Sequence, residues 1–168
     1  ICGGPAVTNP LPFAPFMDFV YIGEAEEGLQ EVARILINAK KQQKSRSEKL
    51  ALLQSLPYLW YTGKKLALRF IDTNFATPES HTYRHYVVPN FKVAQDNGVV
   101  EIMRGCPNSC RFCHAGQYYK PYRQKQYSTM AAQVEQHVSD FGYREITLSS
   151  LSSGDHPYIK ELIETLNA

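Results

Sequence analysis

Val99-Val100-Glu101-Ile102-Met103-Arg104-Gly105-Cys106-Pro107-Asn108-Ser109-Cys110-Arg111-Phe112-Cys113 is the stretch whose reading decides the fold. Val99 to Met103 is an apolar run of strand length that stops at Gly105, and a loop with three thiols follows it. Beyond the loop, Ser128 opens a helix through Met130, Val134 and Val138 that Gly142 ends. Glu145 to Leu148 is a second strand, followed by a turn over Ser149 to Pro157 and a helix from Tyr158 to Leu166. The order strand, cysteine loop, helix, strand, helix is the alternation of a parallel βα architecture. From Cys106 to Ala168 there is room for about two βα units, whereas a complete barrel takes about 250 residues, so the chain reads as a fragment at both ends.

The spacing of Cys106, Cys110 and Cys113 is CxxxCxxC, and three is the informative number. Iron–sulfur clusters are held by thiolates, and a cubane with three protein ligands leaves one iron open to bind something else. An electron-transfer ferredoxin fills the fourth position. Zinc held by the three thiols with His114 or Cys2 as fourth ligand is a rival reading, although zinc sites usually pair two separated knuckles. Haem is another, because Cys110-Arg111-Phe112-Cys113-His114 spells the C-x-x-C-H attachment signature. It leaves Cys106 stray and needs an export signal that the residues do not carry. A buried, non-ligating trio has no packing rationale in a Gly/Pro loop.

These residues resemble the radical S-adenosylmethionine (radical SAM) superfamily, whose motif has an aromatic before the third cysteine, here Phe112. Glu101 to Pro107, Cys110 to Gly116 and Tyr119-Lys120-Pro121-Tyr122-Arg123 are similar to uncharacterised radical SAM proteins that carry an N-terminal cobalamin-binding domain. His114, Lys120 and Tyr122 depart from that subfamily's pattern. The resemblance implies a 4Fe-4S cluster on Cys106, Cys110 and Cys113, with S-adenosylmethionine chelated at the open iron and reductively cleaved to a 5′-deoxyadenosyl radical. It also implies a reductant such as flavodoxin or ferredoxin, and it names no catalytic side chain and no substrate. Phe112 would sit beside the adenine, its plain alternative being a core aromatic. Ser153-Gly154-Asp155 lies after the second strand and resembles a degenerate form of the family's Gly-Gly-Glu segment, which binds the amino group of the cofactor's methionine moiety. The rival for Asp155 is a cap on the helix beginning near Pro157.

At the other end, Cys2-Gly3-Gly4-Pro5 to Pro10 and Asp18 to Glu27 are similar to the end of the cobalamin-binding domain in the fused proteins. Gly3 and Gly4 would permit close backbone approach to a ligand at the carboxyl end of a strand, or simply form a tight turn. Cobalamin in the full-length protein is thus implied by resemblance alone, and Cys2 reads as a small buried residue. Phe19 to Ile22 suits a buried strand that Gly23 breaks. Leu29, Val32, Ala33 and Leu36 then recur at helical spacing behind Glu24, Glu26 and Glu27, where the helix dipole favours carboxylates. Lys40 to Lys49 reads as a polar linker in which Ser47 caps a helix through Leu50, Leu53 and Leu56. Pro57 to Asn97 mixes aromatics, Pro78, Pro89 and short apolar runs such as Leu66 to Ile71, which fits irregular structure with one or two strands.

Over 168 residues the chain is 43% hydrophobic and 20% charged, which excludes wholesale disorder, and a net charge of +2 argues by itself for no anionic partner. No long apolar run marks a membrane span. The start at Ile1 shows neither initiator Met nor signal pattern, so the native N-terminus is expected upstream. Clustered thiols in such a chain favour a reducing cytoplasm. Arg104, Arg111, Lys120, Arg123 and Lys125 lie among Tyr118, Tyr119, Tyr122 and Tyr127, a mix that could grip single-stranded RNA. Balancing an anionic cluster, with tyrosines packed at a barrel rim, is the favoured use of these residues. His81, His85, His137 and His156 read as surface or satisfied histidines.

The expectation is an α/β chain in three parts. Residues 1–40 are the tail of a Rossmann-like cobalamin-binding domain, 41–95 a linker region, and 96–168 the first βα units of a partial TIM-type barrel with the cluster loop after its first strand. The rival from a different class is a zinc-stabilised nucleic-acid-binding module without catalysis.

Overall fold

The structure, a computed structural model, describes residues 1–77, 90–91, 93–94 and 96–166. His81, His85, Pro78 and Pro89 lie outside the described residues. The chain divides into two compact units, Ile1–Thr73 and Asn74–Ala168, and the elements are mixed α and β.

In the first unit the apolar run around Phe19 forms β1 (Val20–Tyr21), which pairs antiparallel with β2 (Leu59–Trp60), Val20 opposite Trp60 and Tyr21 opposite Leu59. Cys2 forms an isolated parallel bridge to Val20, and Gly23 forms one to Phe70. Gly23 has φ +124°, and a side chain there would run into the Phe70 backbone, so glycine is required by both conformation and space. Helix α1 (Gly28–Lys41) starts later than the carboxylates suggested. Glu24 is held back because its backbone amide donates to the Phe70 carbonyl and its side chain accepts from the Asp72 amide at 3.1 Å.

Helix α2 (Arg46–Gln54) corrects the expected cap: Ser45, not Ser47, terminates it. Ser45 Oγ accepts from the Glu48 amide at 3.3 Å while Glu48 Oε2 accepts from the Ser45 amide at 2.8 Å, a reciprocal capping box. Phe19, Tyr21, Val32, Leu53, Tyr58 and Leu59 form the core that α1 and α2 close.

In the second unit β3 (Gly98–Glu101) pairs parallel with β6 (Ile146–Ser149), Gly98 opposite Ile146 and Glu101 opposite Ser149. The strand expected to run unbroken to Met103 changes partner at Ile102, whose amide donates to the Ser149 carbonyl and whose carbonyl accepts from the Lys125 amide. The chain then continues as β4 (Met103–Arg104), antiparallel to β5 (Arg123–Gln124), with Arg104 opposite Arg123. Helix α3 (His114–Tyr118) separates β4 from β5, and α4 (Tyr127–Ser139) leads from β5 to β6. Ser128 lies inside the first turn of α4 rather than at its start, because Gln126 is the flanking residue. After α4, Gly142 at φ +70° donates its amide to the Val138 carbonyl, as expected of a residue that stops a helix.

Val100, Ile102 and Met103 pack with Met130 and Val134 of α4 and Leu162 of α5 (Ile159–Leu166). The burial of β3 alternates: Gly98 and Val100 are buried while Val99 is 44% exposed. The side of the strand pair away from this core opens on a cleft of about 330 Å³ lined by Asn97, Val99, Glu145, Thr147 and Ser149 among others.

Candidate metal centre

The cysteine loop begins at a residue that can only be glycine. Gly105 has φ +77°, and a Cβ there would lie 2.6 Å from the Tyr119 carbonyl oxygen and 3.0 Å from that of Pro121. The chain therefore turns out of β4 directly beneath the segment from Tyr119 to Tyr122. Cys106 follows half-buried, residues 107–112 are exposed, Cys110 among them, and Cys113 is half-buried again. All four cysteines of the chain are free thiols.

Cys113 stands at the N-terminal boundary of α3, where its sulfur accepts the Gly116 amide at 3.4 Å, and its own amide donates to the Cys110 carbonyl at 3.1 Å. Hydrogen bonds to thiolate sulfur are one of the levers by which proteins tune iron–sulfur centres. Phe112 is 92% exposed among the described residues. His114 is exposed and stacks on Tyr118 with ring centroids 5.4 Å apart.

The structure ties this loop to the segment after β6. Asn108, between the first two cysteines, donates to Asp155 Oδ2 at 2.7 Å, and Ser152 Oγ donates to the same oxygen at 2.6 Å. Those two bonds, that of Ser152 first, hold the Asp155 carboxyl below the usual carboxylate range. Ser153–Asp155 is a turn of 3₁₀ helix, and a Cβ on Gly154 would meet no atom within 4 Å, so no intramolecular crowding demands glycine there. The Tyr122 hydroxyl lies 3.1 Å from Met103 Sδ and 2.6 Å from Gln124 Oε1. Its pKa is raised first by burial and then by the charges of Asp155 and Cys106, which places it in the same neighbourhood.

The remaining expected residues sit elsewhere. Gly3, Gly4 and Cys2 belong to the first unit. Gly4 has φ +108° before the short 3₁₀ turn Pro5–Val7, and Gly3 packs on the Tyr21 side chain. Cys2 is half-buried against Val20 and Trp60 with its backbone bonded to Phe19 and Tyr21, as a small packed residue would be.

Three of the basic residues have a use that sequence reading missed. Arg104, Lys125 and Arg123 lie 4.4, 5.0 and 5.7 Å from the centroid of the fully buried Phe75 ring. Arg104 also pairs with both carboxylate oxygens of Glu101, at 3.0 and 2.9 Å. Lys125 is 2% exposed and donates to Gln133 Oε1 at 2.9 Å. Burial, with Arg104 adding to it and Glu101 opposing it, pushes the Lys125 ammonium down to about 8. Phe75 sits in a stretch that shows no periodicity, and cation–π groups assembled from three distant positions leave no local signal. His137 and His156 are both buried, and burial lowers both pKa values.

Among the described residues, the ligand atoms of Glu24, Glu26 and Asp72 gather within 4.8 Å of one another, and the three thiols of the loop do not. Ligands of one zinc ion must converge that closely, whereas thiolates on a cubane each bind a different iron and need not. Three thiols on one loop are soft donors of the kind that the irons of a cluster take. No helix among the described residues is long and apolar enough to cross a membrane.

Comparison with known proteins adds the family. Over its 168 residues the chain is 28% identical to an uncharacterized protein of Methanocaldococcus jannaschii, covering 99% of this chain and 34% of that protein. The chain thus spans about a third of the length of the curated relative it matches. No solved structure matches it. Residues 1–61 match the model of the N-terminal region of radical SAM proteins, and residues 100–168, which hold the cysteine loop and the segment after β6, match that of the radical SAM superfamily. The chain is therefore similar to radical SAM proteins in two stretches, one like their N-terminal region and one like the superfamily core.

Proposed function

We propose that Cys106, Cys110 and Cys113 hold three irons of a 4Fe-4S cluster in a radical SAM enzyme, and that the fourth iron is left for S-adenosylmethionine. The observation that carries this is the placement of three thiols on one partly exposed loop, entered from the carboxyl end of a parallel strand pair within the residues that match the superfamily. Bound together there, cluster and S-adenosylmethionine supply reductive cleavage to methionine and a 5′-deoxyadenosyl radical. Cys113 receives the Gly116 amide at its sulfur, a hydrogen bond of the kind that tunes iron–sulfur centres. The exposed face of Phe112 is available to the adenine, and the Ser153–Asp155 turn offers backbone carbonyls and a carboxylate that stays ionised at neutral pH. Gly105 and the antiparallel pair β4–β5 fix where the chain enters the loop.

In this reading β3, β6 and the helices α4 and α5 are the first units of a partial TIM-type barrel, with the cleft beside Val99 and Thr147 on its inner side. The first unit is the end of a preceding domain, in which Gly3 and Gly4 approach a cobalamin of the whole protein. A flavodoxin or ferredoxin supplies the electron, in the cytoplasm. The zinc-binding nucleic-acid module finds no support in the family comparison, and the cations it would need around β4 and β5 are gathered on Phe75. Electron paramagnetic resonance of the anaerobically reconstituted, dithionite-reduced protein tests the reading. A reduced-cluster signal that shifts when S-adenosylmethionine is added is expected, and a signal indifferent to it removes the open iron.

A further inference from the structure

We infer that Asn108 and Asp155 are positioning residues, a latch across two βα loops that fixes the cysteine loop in the shape its thiols need; this rests on the reading that the loop holds a cluster. Asn108 lies between Cys106 and Cys110 in the exposed part of the loop, where no strand or helix constrains the chain. Its side chain donates to Asp155 at 2.7 Å, the bond that ties it to the segment after β6.

The other half of the latch is a rigid anchor. Ser150 Oγ and Ser153 Oγ are hydrogen bonded at 2.9 Å, Ser152 donates its amide to Ser150 Oγ at 3.2 Å, and Asp155 donates its amide to the Ser152 carbonyl at 3.0 Å. The next residue, His156, is buried and fastened to the Lys125 carbonyl. The serine-rich run after β6 thus folds on itself and presents one carboxylate oxygen to Asn108. Ser152 supports that oxygen at 2.6 Å. An amide donating to an ionised carboxylate is a charge-assisted bond, stronger than a neutral one and directional. Two loops whose contact is otherwise through solvent-exposed residues are joined at this point. Asp155 neither caps α5 with its carboxylate nor needs to touch S-adenosylmethionine to matter for its site: it acts through Asn108 on the spacing of the thiols.

The test exchanges the two partners. In metal-free, reduced protein, alkylation of each cysteine by iodoacetamide is followed by mass spectrometry, with the urea midpoint of each variant as the reporter of general unfolding. Asn108→Ala and Asp155→Ala should each speed alkylation of half-buried Cys106 about five- to tenfold, the factor expected for one solvent-exposed hydrogen bond. The double variant should be no faster than either single one, because both break the same bond. Asn108→Asp alone should behave like the alanine variants, since two carboxylates would face each other. Asn108→Asp combined with Asp155→Asn reverses donor and acceptor and should return the rate to within about twofold of the native protein. Unchanged single variants, additive effects, or a reversal that fails to rescue while the unfolding midpoint is unchanged would each overturn the latch. Iron uptake on reconstitution is measured on the same set, and the native protein's uptake tests the cluster reading separately. Native protein that takes up no iron would overturn the positioning role even with the alkylation pattern intact.

Discussion

His156 Nε2 meets the carbonyl oxygen of Lys125 at 3.1 Å while its Nδ1 accepts the Tyr158 amide at 3.2 Å, so the buried ring fastens the turn after β6 to the start of α4. With Nδ1 accepting, the proton sits on Nε2 and the ring is neutral, an assignment made from these partners. Burial lowers its pKa, and the Lys125 carbonyl offsets only part of that. The unfolded chain, at about 6.5, therefore takes up the proton before the folded one. Stability is level above that value and falls as pH drops through it toward the lowered folded value. Urea unfolding between about pH 8 and pH 5 should show this decline, and His156→Gln, which keeps a donor for the Lys125 carbonyl, should flatten it. His137, lowered by burial as well, accounts for the slope that remains.

Lys125 makes the opposite kind of test, because a cation desolvated to about 8 is a cost that an apolar residue of similar length does not carry. Lys125→Met should leave stability at pH 7 unchanged or raise it by up to about 2 kcal/mol, the loss of the Gln133 bond and the Phe75 contact offsetting part of the gain. The advantage should shrink as pH rises from about 8 to 10, where the buried lysine sheds its proton while the unfolded one, at about 10.4, still holds it. A loss of more than about 2 kcal/mol on denaturant titration would mean that the charge itself is needed by its neighbours.

Ser45 and Ser47 separate the observed cap of α2 from the expected one. Ser45→Ala should cost about 0.5–2 kcal/mol, whereas Ser47→Ala should stay within about 0.5 kcal/mol. Chemical denaturation of the two variants side by side decides it.

Leu162 is wholly buried between α5 and the β3 side of the core. Leu162→Ala should cost about 2–5 kcal/mol, as the removal of a buried side chain without collapse does. Val99→Ala on the exposed side of the same strand should cost less than about 1 kcal/mol, read from the same unfolding curves.

What could be read in the sequence and what could not follow from the range of the interactions. The strands at Val99 and Glu145, the helices from Ser128 and Tyr158, and the turn at Gly105 declare themselves by period and punctuation within a few residues, and they form within a residue or two of expectation. The three thiols are legible because they crowd into one loop. Ser45 and Ser47 both precede apolar residues, and only the Glu48 side chain returning to Ser45 separates them. The gathering of Arg104, Arg123 and Lys125 on Phe75 was hidden because the ring lies about thirty positions before the nearest cation and the cations read as surface residues. The Asn108–Asp155 bond spans 47 positions and joins two loops, which no local pattern encodes.

The central claim is the ligand count, and iron bound per chain after anaerobic reconstitution tests it most directly. The native protein should hold about four irons with matching sulfide and absorb near 400 nm, as a thiolate-ligated cubane does. Cys106→Ala, Cys110→Ala and Cys113→Ala should each abolish stable binding, while Cys2→Ala should leave it intact. Stoichiometric zinc in place of iron, or a loss of iron in Cys2→Ala as severe as in the other three, would contradict a three-cysteine cluster with one open iron.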